Sequence, residues 1–363
     1  MTTRAPKSLA AGTLRDRLIR LAERATTPLL PSDYLDLVAP LRSGSALRGR
    51  ITAIHRETTD AVTVVIKPGR DWRPHTPGQY ARIGIDVDGV RQWRTYSLTC
   101  GSDRADECIS ITVKAIEGGT VSNHLVHRAT AGTIIHLDHA AGDFTLGAEL
   151  PAKALFVTAG SGITPVMGIL RNAVDRLEDV VVVHSAPTAE DAIFGAELRA
   201  LHRQGRISLI ERYTTTSGRL SVDELTALVP DLADREAWAC GPAGLLDGIE
   251  QRWTDLGIAD KLHTERFRIT PIVAGDGGTV TYDRAGTTVE ADGAESLLDA
   301  GEGAGVLMPS GCRMGVCFGC VVPLRTGVVR DLRNGAITAA SEGDGVLIQT
   351  CVSAAAGPCT LDV

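Results

Sequence analysis

The sequence predicts a multidomain chain: an all-β domain built as an antiparallel barrel or sandwich, an α/β domain on a parallel sheet, and a small α+β domain, behind a short helical segment. Three observations predict it. A length of 363 residues exceeds what one hydrophobic core usually supports. The texture of the chain changes near residues 47, 151 and 271. Five of the eight cysteines lie after residue 311, where three of them crowd into nine residues. The expected limits are 1–46, 47–150, 151–270 and 271–363.

Composition narrows the function classes. With 44% hydrophobic and 22% charged residues, the chain reads as a soluble globular protein. No apolar run approaches 18 residues, and the opening residues lack the apolar stretch and cleavage site of a secretory signal, so the cytoplasm is the expected compartment. Eight cysteines in so long a chain do not make a disulfide scaffold; in a reducing compartment a tight cluster reads as a metal site. A net charge of −7 argues against nucleic acid as the main partner.

Residues 1–50 differ in charge, carrying nine Lys and Arg against four Asp and Glu, or +5, which leaves −12 for the remainder. In LRDRLIRLAERA, Leu14, Leu18, Leu21, Ala22 and Ala25 recur at helical spacing, with Arg15, Arg17, Arg20 and Arg24 mostly elsewhere. A basic amphipathic helix of this kind can make peripheral contact with an anionic membrane surface. The favoured alternative is a short helix packed on its own protein, since Pro28 and Pro31 end it soon after.

From residue 47 come short strands separated by turn residues, among them AVTVVIKP, PGQYARIGIDVDG, RQWRTYSLTC and ISITVKAI, without helices between them. After Pro151, strand and helix alternate: ALFVTAG, PVMGILRNAVDRL, VVVVHSA, AIFGAELRALHRQ, ISLIERY, VDELTALV and EAWACGP. That alternation predicts a doubly wound parallel sheet. Near residue 271, TVTYDRAGTTVEA predicts a hairpin and ESLLDAGEGAG a helix.

The cysteine stretch SGCRMGVCFGC follows. Cys312, four residues, Cys317, two residues, Cys320, then thirty residues to Cys351 is the spacing of a plant-type [2Fe-2S] centre held by four thiolates. Gly311, Gly315 and Gly319 suit close approach of backbone amides to cluster sulfides. Zinc is the alternative, although zinc ribbons usually pair two short C-x-x-C knuckles. Residues 277–363 closely resemble plant-type ferredoxins, which implies a β-grasp fold and Cys312, Cys317, Cys320 and Cys351 as metal ligands.

A one-electron carrier next to a nucleotide-binding sheet needs a converter between hydride and single electrons, and flavin is the usual one. RTYSL, with Arg94, Tyr96 and Ser97, and GGTVSN, with Gly118, Gly119, Ser122 and Asn123, resemble the ferredoxin-NADP reductase superfamily. The resemblance implies an FAD-binding β-barrel in which Arg94 reaches the diphosphate, Tyr96 packs on the flavin and Ser97 lies near its reactive nitrogen. GGTVSN then supplies amides and a hydroxyl to the diphosphate. PGQYARI and AAGDFTL resemble further family segments, with Ala141 where a proline is common.

In VTAGSGITPVMGIL, Gly160, Gly162 and Thr164 sit where a strand passes into a helix, a turn that brings backbone and a helix N-terminus to a pyrophosphate. Cys240, Gly241 and Pro242 in ACGP resemble the superfamily motif bordering the nicotinamide, and Glu265 and Phe267 in TERF its closing acid-x-aromatic pattern. The resemblance implies that Ser97, Cys240 and Glu265 gather around flavin and nicotinamide as the catalytic set. Taken singly they read as a capped turn, a buried thiol and a surface acid. Arg212 lies where the superfamily often binds the extra phosphate of NADPH, whereas Pro187 replaces a frequent arginine and Glu211 would repel phosphate. NADPH is the expected nucleotide and NADH the alternative. Cys100, Cys108 and Cys359 read as free structural thiols.

Together these readings predict an oxidoreductase passing electrons from NAD(P)H through FAD to the cluster, and on to another protein docking near residues 310–320. The domain order resembles reductases that serve oxygenases and hydroxylases. With SDYLDLVAPL at the N-terminus, it looks most like actinobacterial electron partners of membrane-bound fatty-acyl desaturases and di-iron hydroxylases. Such a partner would give the basic N-terminal helix a use at the inner membrane face. The alternatives are an electron-transfer subunit of another dehydrogenase, and a ferredoxin-like carrier or sensor with a vestigial reductase.

Overall fold

A computed structural model describes residues 38–44, 46–87, 89–101, 104–267, 275–311, 313, 315 and 318–363. The expected N-terminal helix and the expected cluster ligands Cys312 and Cys317 lie outside the described residues.

The first unit is a six-stranded antiparallel sheet of β1 (Arg48–Arg56), β2 (Ala61–Pro68), β3 (Tyr80–Val87), β4 (Val90–Ser97), β5 (Ile109–Lys114) and β6 (Ile134–Leu137), in the order β4-β3-β6-β1-β2-β5. The Thr99 N–H donating to the Ser110 carbonyl (2.8 Å) and the Leu98–Ile111 bridge bring the two edges together, so the sheet closes into a barrel. Ile51, Val64, Ile66, Ile83, Ile85 and Ile111 fill it. One feature departs from the expected run of strands: GGTVSN opens a helix, α1 (Thr120–His127). Val121, Leu125 and Val126 recur at helical spacing and are buried in the barrel core.

The second unit is a parallel sheet of β7 (Lys153–Ala159), β8 (Asp179–Ala186), β9 (Ser208–Tyr213), β10 (Glu236–Cys240) and β11 (Leu262–Glu265), ordered β11-β10-β7-β8-β9. Helices α2 (Ile163–Ala173), α3 (Gly195–Arg203), α4 (Val222–Leu228) and α5 (Ala243–Asp255) accompany it. Two separate apolar clusters flank the sheet, one containing α2 and α3 side chains and the other those of α4 and α5. Burial on both faces is why Val180–Val183 is an unbroken apolar run. The order reverses between β7 and β10, the crevice where open α/β sheets bind ligands.

The third unit is a mixed sheet of β12 (Gly275–Tyr282), β13 (Thr287–Gly293), β14 (Val321–Asp331), β15 (Ile337–Ala340) and β17 (Ser353–Leu361), with β16 (Leu347–Gln349) paired to β14. β12 and β13 form the expected hairpin, and β12 runs parallel to β17. Helix α6 (Leu297–Gly303) buries Leu297 and Leu298 in the core of this unit, and the Tyr282 hydroxyl donates to the Leu297 carbonyl (2.7 Å). This is the β-grasp arrangement.

Candidate active site at the junction of three domains

A cavity of about 610 Å³ opens where the three units meet. The end of β4 supplies Arg94, Thr95, Tyr96 and Ser97 to its wall. Burial keeps the Tyr96 phenol protonated well above its ordinary range. The Arg94 guanidinium donates to the Trp93 carbonyl (2.8 Å) and is largely desolvated, with the Arg313 charge nearby. The Thr95 and Ser97 hydroxyls are buried and find no hydrogen-bond partner among the described residues. Ser97 therefore does not cap a turn; two orphaned hydroxyls facing a cavity fit a polar ligand.

Gly118, Gly119 and Ser122, at the start of α1, form the adjoining wall. Gly118 adopts φ +69°, and a Cβ on Gly119 would stand 2.4 Å from the Ser122 hydroxyl and 2.5 Å from Ile116, so both positions need glycine. No side chain caps α1 at Gly119, leaving the first-turn amides and the positive helix end available to an anion. Asn123 lies off the cavity: its amide donates to the carbonyls of Ile116 (2.8 Å) and Gly119 (2.7 Å), stapling the turn shut. Ala141 pairs with Tyr80 through two 2.9 Å backbone bonds, one of them from its own N–H. A proline there would forfeit that bond.

The glycine turn and ACGP meet at the switch point of the parallel sheet. Gly160 has φ +56°, and a Cβ on Gly162 would lie 2.0 Å from the Cys240 carbonyl oxygen, so the β7–α2 turn crosses the end of β10 only as glycine. Ser161 and Thr164 reach the cavity, with the Thr164 hydroxyl donating to the Ser161 carbonyl (3.0 Å). Gly241 follows β10, and Pro242 stands as the extended residue just before α5 with no side-chain cap, which sets a second helix N-terminus at the same crevice.

Cys240 is fully buried, does not line the cavity, and its thiol is pushed far up by burial. It stands in register with Glu265 across β10 and β11. Glu265 does line the cavity; one of its carboxyl oxygens is buried and finds no partner among the described residues. Burial, with Asp143 close by, pushes this carboxyl up to about 8, so it is mostly protonated at neutral pH. It is not a surface acid. Phe267 shares the cavity wall and is partly exposed.

Arg212 ends up away from this cavity, near the C-terminal end of the edge strand β9. It is ion-paired with Glu224 at 2.6 Å and donates to the Ser217 carbonyl, while Glu211 is held by Arg199 at 2.8 Å.

The third unit closes the cavity with Ser296, Asp299, Glu302, Arg313 and Cys351. Cys320 and Cys351 are buried, with sulfurs 3.2 Å apart, a separation that suits two thiolates converging on one metal. Arg313, Gly315 and Phe318 adopt positive φ, and the Gln349 side chain donates to the Gly315 carbonyl at 2.9 Å. Arg313 pairs with Asp299 (2.9 Å) and Glu302 (2.5 Å). This charged wall went unnoticed in the sequence; its one local signal is an arginine inside the cysteine loop. The thiols Cys100, Cys108 and Cys359 are buried and free.

The fold and this junction define a three-domain flavin and iron–sulfur reductase. Three family models match in the same order: an oxidoreductase FAD-binding domain over 73–146, an oxidoreductase NAD-binding domain over 156–251 and a 2Fe-2S iron-sulfur cluster binding domain over 280–356. An NADPH oxidoreductase of Mycobacterium tuberculosis is 49% identical over 355 residues, covering 95% of this chain and 92% of that protein. The ferredoxin reductase component of 3-ketosteroid-9-alpha-monooxygenase from Mycolicibacterium smegmatis is 29% identical over 82% of this chain and 92% of its own. The fold matches that of phthalate dioxygenase reductase with a TM-score of 0.61 at 22% identity, covering 87% of this chain and 97% of that one. The chain belongs to the ferredoxin-NADP reductase superfamily, in the branch carrying a plant-type [2Fe-2S] domain. It is an NAD(P)H-dependent oxidoreductase that uses FAD, a [2Fe-2S] cluster and a pyridine nucleotide.

Proposed function

We propose that this chain draws electrons from NADPH and delivers them to a partner oxygenase, in particular a membrane-bound fatty-acyl desaturase or related di-iron hydroxylase. The observation that carries the reading is a single cavity bordered at once by RTYS, by the α1 turn, by Glu265 and by Cys351. Bound flavin would supply the step between a two-electron nucleotide and a one-electron cluster.

In this reading Arg94 and the N-terminal end of α1 hold the flavin diphosphate, Tyr96 packs on the ring system, and the orphaned Thr95 and Ser97 hydroxyls meet its polar edge. Ser161, Thr164 and the glycine turn seat the nucleotide, under the buried Cys240. Glu265, protonated at neutral pH, holds a proton at the cavity wall. Cys351, with Cys312, Cys317 and Cys320, brings the cluster to that same wall, and the acceptor docks on the cluster loop. The domain limits follow the sequence reading, at 46/47, 150/151 and 270/271.

The choice of NADPH is supported by the name of the Mycobacterium tuberculosis relative and by Arg212, whose neighbour Glu211 is already neutralised by Arg199. An oxygenase as acceptor is supported by relatives that are reductase components of monooxygenases. The desaturase rests on the N-terminal resemblance, and the site of action proposed with it is the cytoplasm at the inner membrane face. Among the described residues no helix is long and apolar enough to cross a membrane. Reconstitution with candidate desaturases and monooxygenases, scored by product formed per NADPH consumed, tests the reading. Product with a soluble monooxygenase and none with any desaturase would overturn the finer assignment.

A further inference from the structure

Helix α2 does two things at once. Its first turn, with Thr164, borders the cavity at the nucleotide crevice; two turns later its opposite end is fastened to the barrel. Gly168 lies so close to the barrel that a Cβ there would stand 2.3 Å from the Leu98 carbonyl oxygen. The Asn172 amide donates to the Cys100 carbonyl (3.1 Å). Between them Arg171 donates from Nη1 to the Thr99 carbonyl (2.5 Å), while its Nε and Nη2 form a two-point fork with Glu197 of α3 (2.9 and 2.6 Å). The guanidinium also lies 4.7 Å over the Phe194 ring, and Phe194 adopts φ +58°, a backbone state costly for an aromatic residue.

All three carbonyls, of Leu98, Thr99 and Cys100, directly follow Ser97, the β4 residue that faces the cavity. The fastening therefore acts on the stretch of barrel next to the flavin seat, through the helix that begins at the nucleotide seat. We propose that Arg171 is a positioning residue for hydride transfer: by locking α2 and α3 of the nucleotide domain to the Leu98–Cys100 segment, it fixes the nicotinamide against the flavin. It touches neither ligand. The inference rests on the reading of the cavity as the flavin and nicotinamide seat. Its physical basis is that transfer between two held partners is steep in distance, so a misplacement of about 1 Å costs on the order of 100-fold in rate.

The test uses the full-length holoprotein with R171Q, R171K and, as a control in the turn that follows α2, R176Q. Anaerobic stopped-flow with NADPH and with 4-deuterated NADPH should show R171Q reducing its flavin about tenfold or more slowly. Its KM should stay within about twofold and its deuterium isotope effect should rise, because looser alignment makes hydride transfer more fully limiting. R171K, keeping the charge without the fork, should fall between. The long-wavelength charge-transfer absorbance of stacked nicotinamide and reduced flavin should weaken, and hydrogen exchange at the Leu98–Cys100 amides should speed up. Electron transfer from photoreduced flavin to the cluster should keep its wild-type rate, as should every property of R176Q. R171Q with wild-type flavin reduction and isotope effect would overturn the proposal, as would a loss confined to KM or to flavin content. Failure of wild-type protein to bleach with either nucleotide would instead overturn the underlying reading of the cavity.

Discussion

Cys240 and Glu265 stand in register on neighbouring parallel strands, the thiol fully buried and the carboxyl at the cavity wall, and the Glu265 carboxylate adds to the burial that raises the thiol. Burial is the first cause of the raised Glu265 affinity, and it leaves one carboxyl oxygen without a partner among the described residues. A group held protonated at neutral pH beside the proposed flavin and nicotinamide seat is suited to holding a proton there rather than a charge.

That carboxyl predicts a pH signature. Its ordinary value is 4.5 and its folded value about 8, so between those limits the folded state binds more protons than the unfolded chain, and stability falls as pH rises through the window. Glu265→Gln should match wild type near pH 4.5 and become progressively more stable than wild type by pH 8, by on the order of 5 kcal/mol. The alkaline limb of the flavin-reduction profile, centred near pH 8 in wild type, should vanish in the variant. Urea unfolding and stopped-flow reduction across pH 5–9 would measure both; parallel profiles for the two proteins would contradict the assignment.

Gly162→Ala should be costly, because the new Cβ meets backbone, the Cys240 carbonyl, which cannot rotate away. A loss of about 2–4 kcal/mol in stability is expected, with a raised KM for nucleotide, whereas Gly244→Ala, where open space surrounds the site, should be nearly neutral. Thermal unfolding and steady-state kinetics of the pair would check it.

Arg212→Gln should separate the two nucleotides. The loss of a cation now balanced by Glu224 should raise KM for NADPH about tenfold and leave KM for NADH within about twofold. Equal effects on both nucleotides would place the extra phosphate elsewhere.

Much of this architecture was legible because its signals are local. A run of short strands, an alternation of strand and helix, a four-residue and a two-residue gap between cysteines, and the glycines at 118, 160 and 162 each follow from a few adjacent residues. What escaped depends on contacts between distant segments. GGTVSN reads as a turn, yet Val121, Leu125 and Val126 make it the start of a helix once the barrel core is there to receive them. Asn123 could be placed on the turn, but not its use as a staple for two carbonyls. Glu265 reads as a surface acid until folding buries it at the cavity wall, and the wall of Asp299, Glu302 and Arg313 exists only because α6 and the cysteine loop face a cavity shared with other domains.

Removing one proposed cluster ligand should cut the proposed path at a defined point. Cys351→Ser should leave NADPH reduction of the flavin within about threefold of wild type, since Ser97, Glu265 and the nucleotide turn are untouched, while fast reduction of cytochrome c is lost. Retained cytochrome c reduction would show that electrons leave from the flavin.

In the proposed path the Cys351 wall joins the flavin cavity to the cluster. Anaerobic titration of the purified protein with NADPH, followed by optical and paramagnetic resonance spectra, decides whether that link exists. Flavin bleaching should be accompanied by the signal of a reduced [2Fe-2S] cluster, with about three electrons taken up per protein, two by flavin and one by the cluster. Complete bleaching of the flavin with no cluster signal would contradict it.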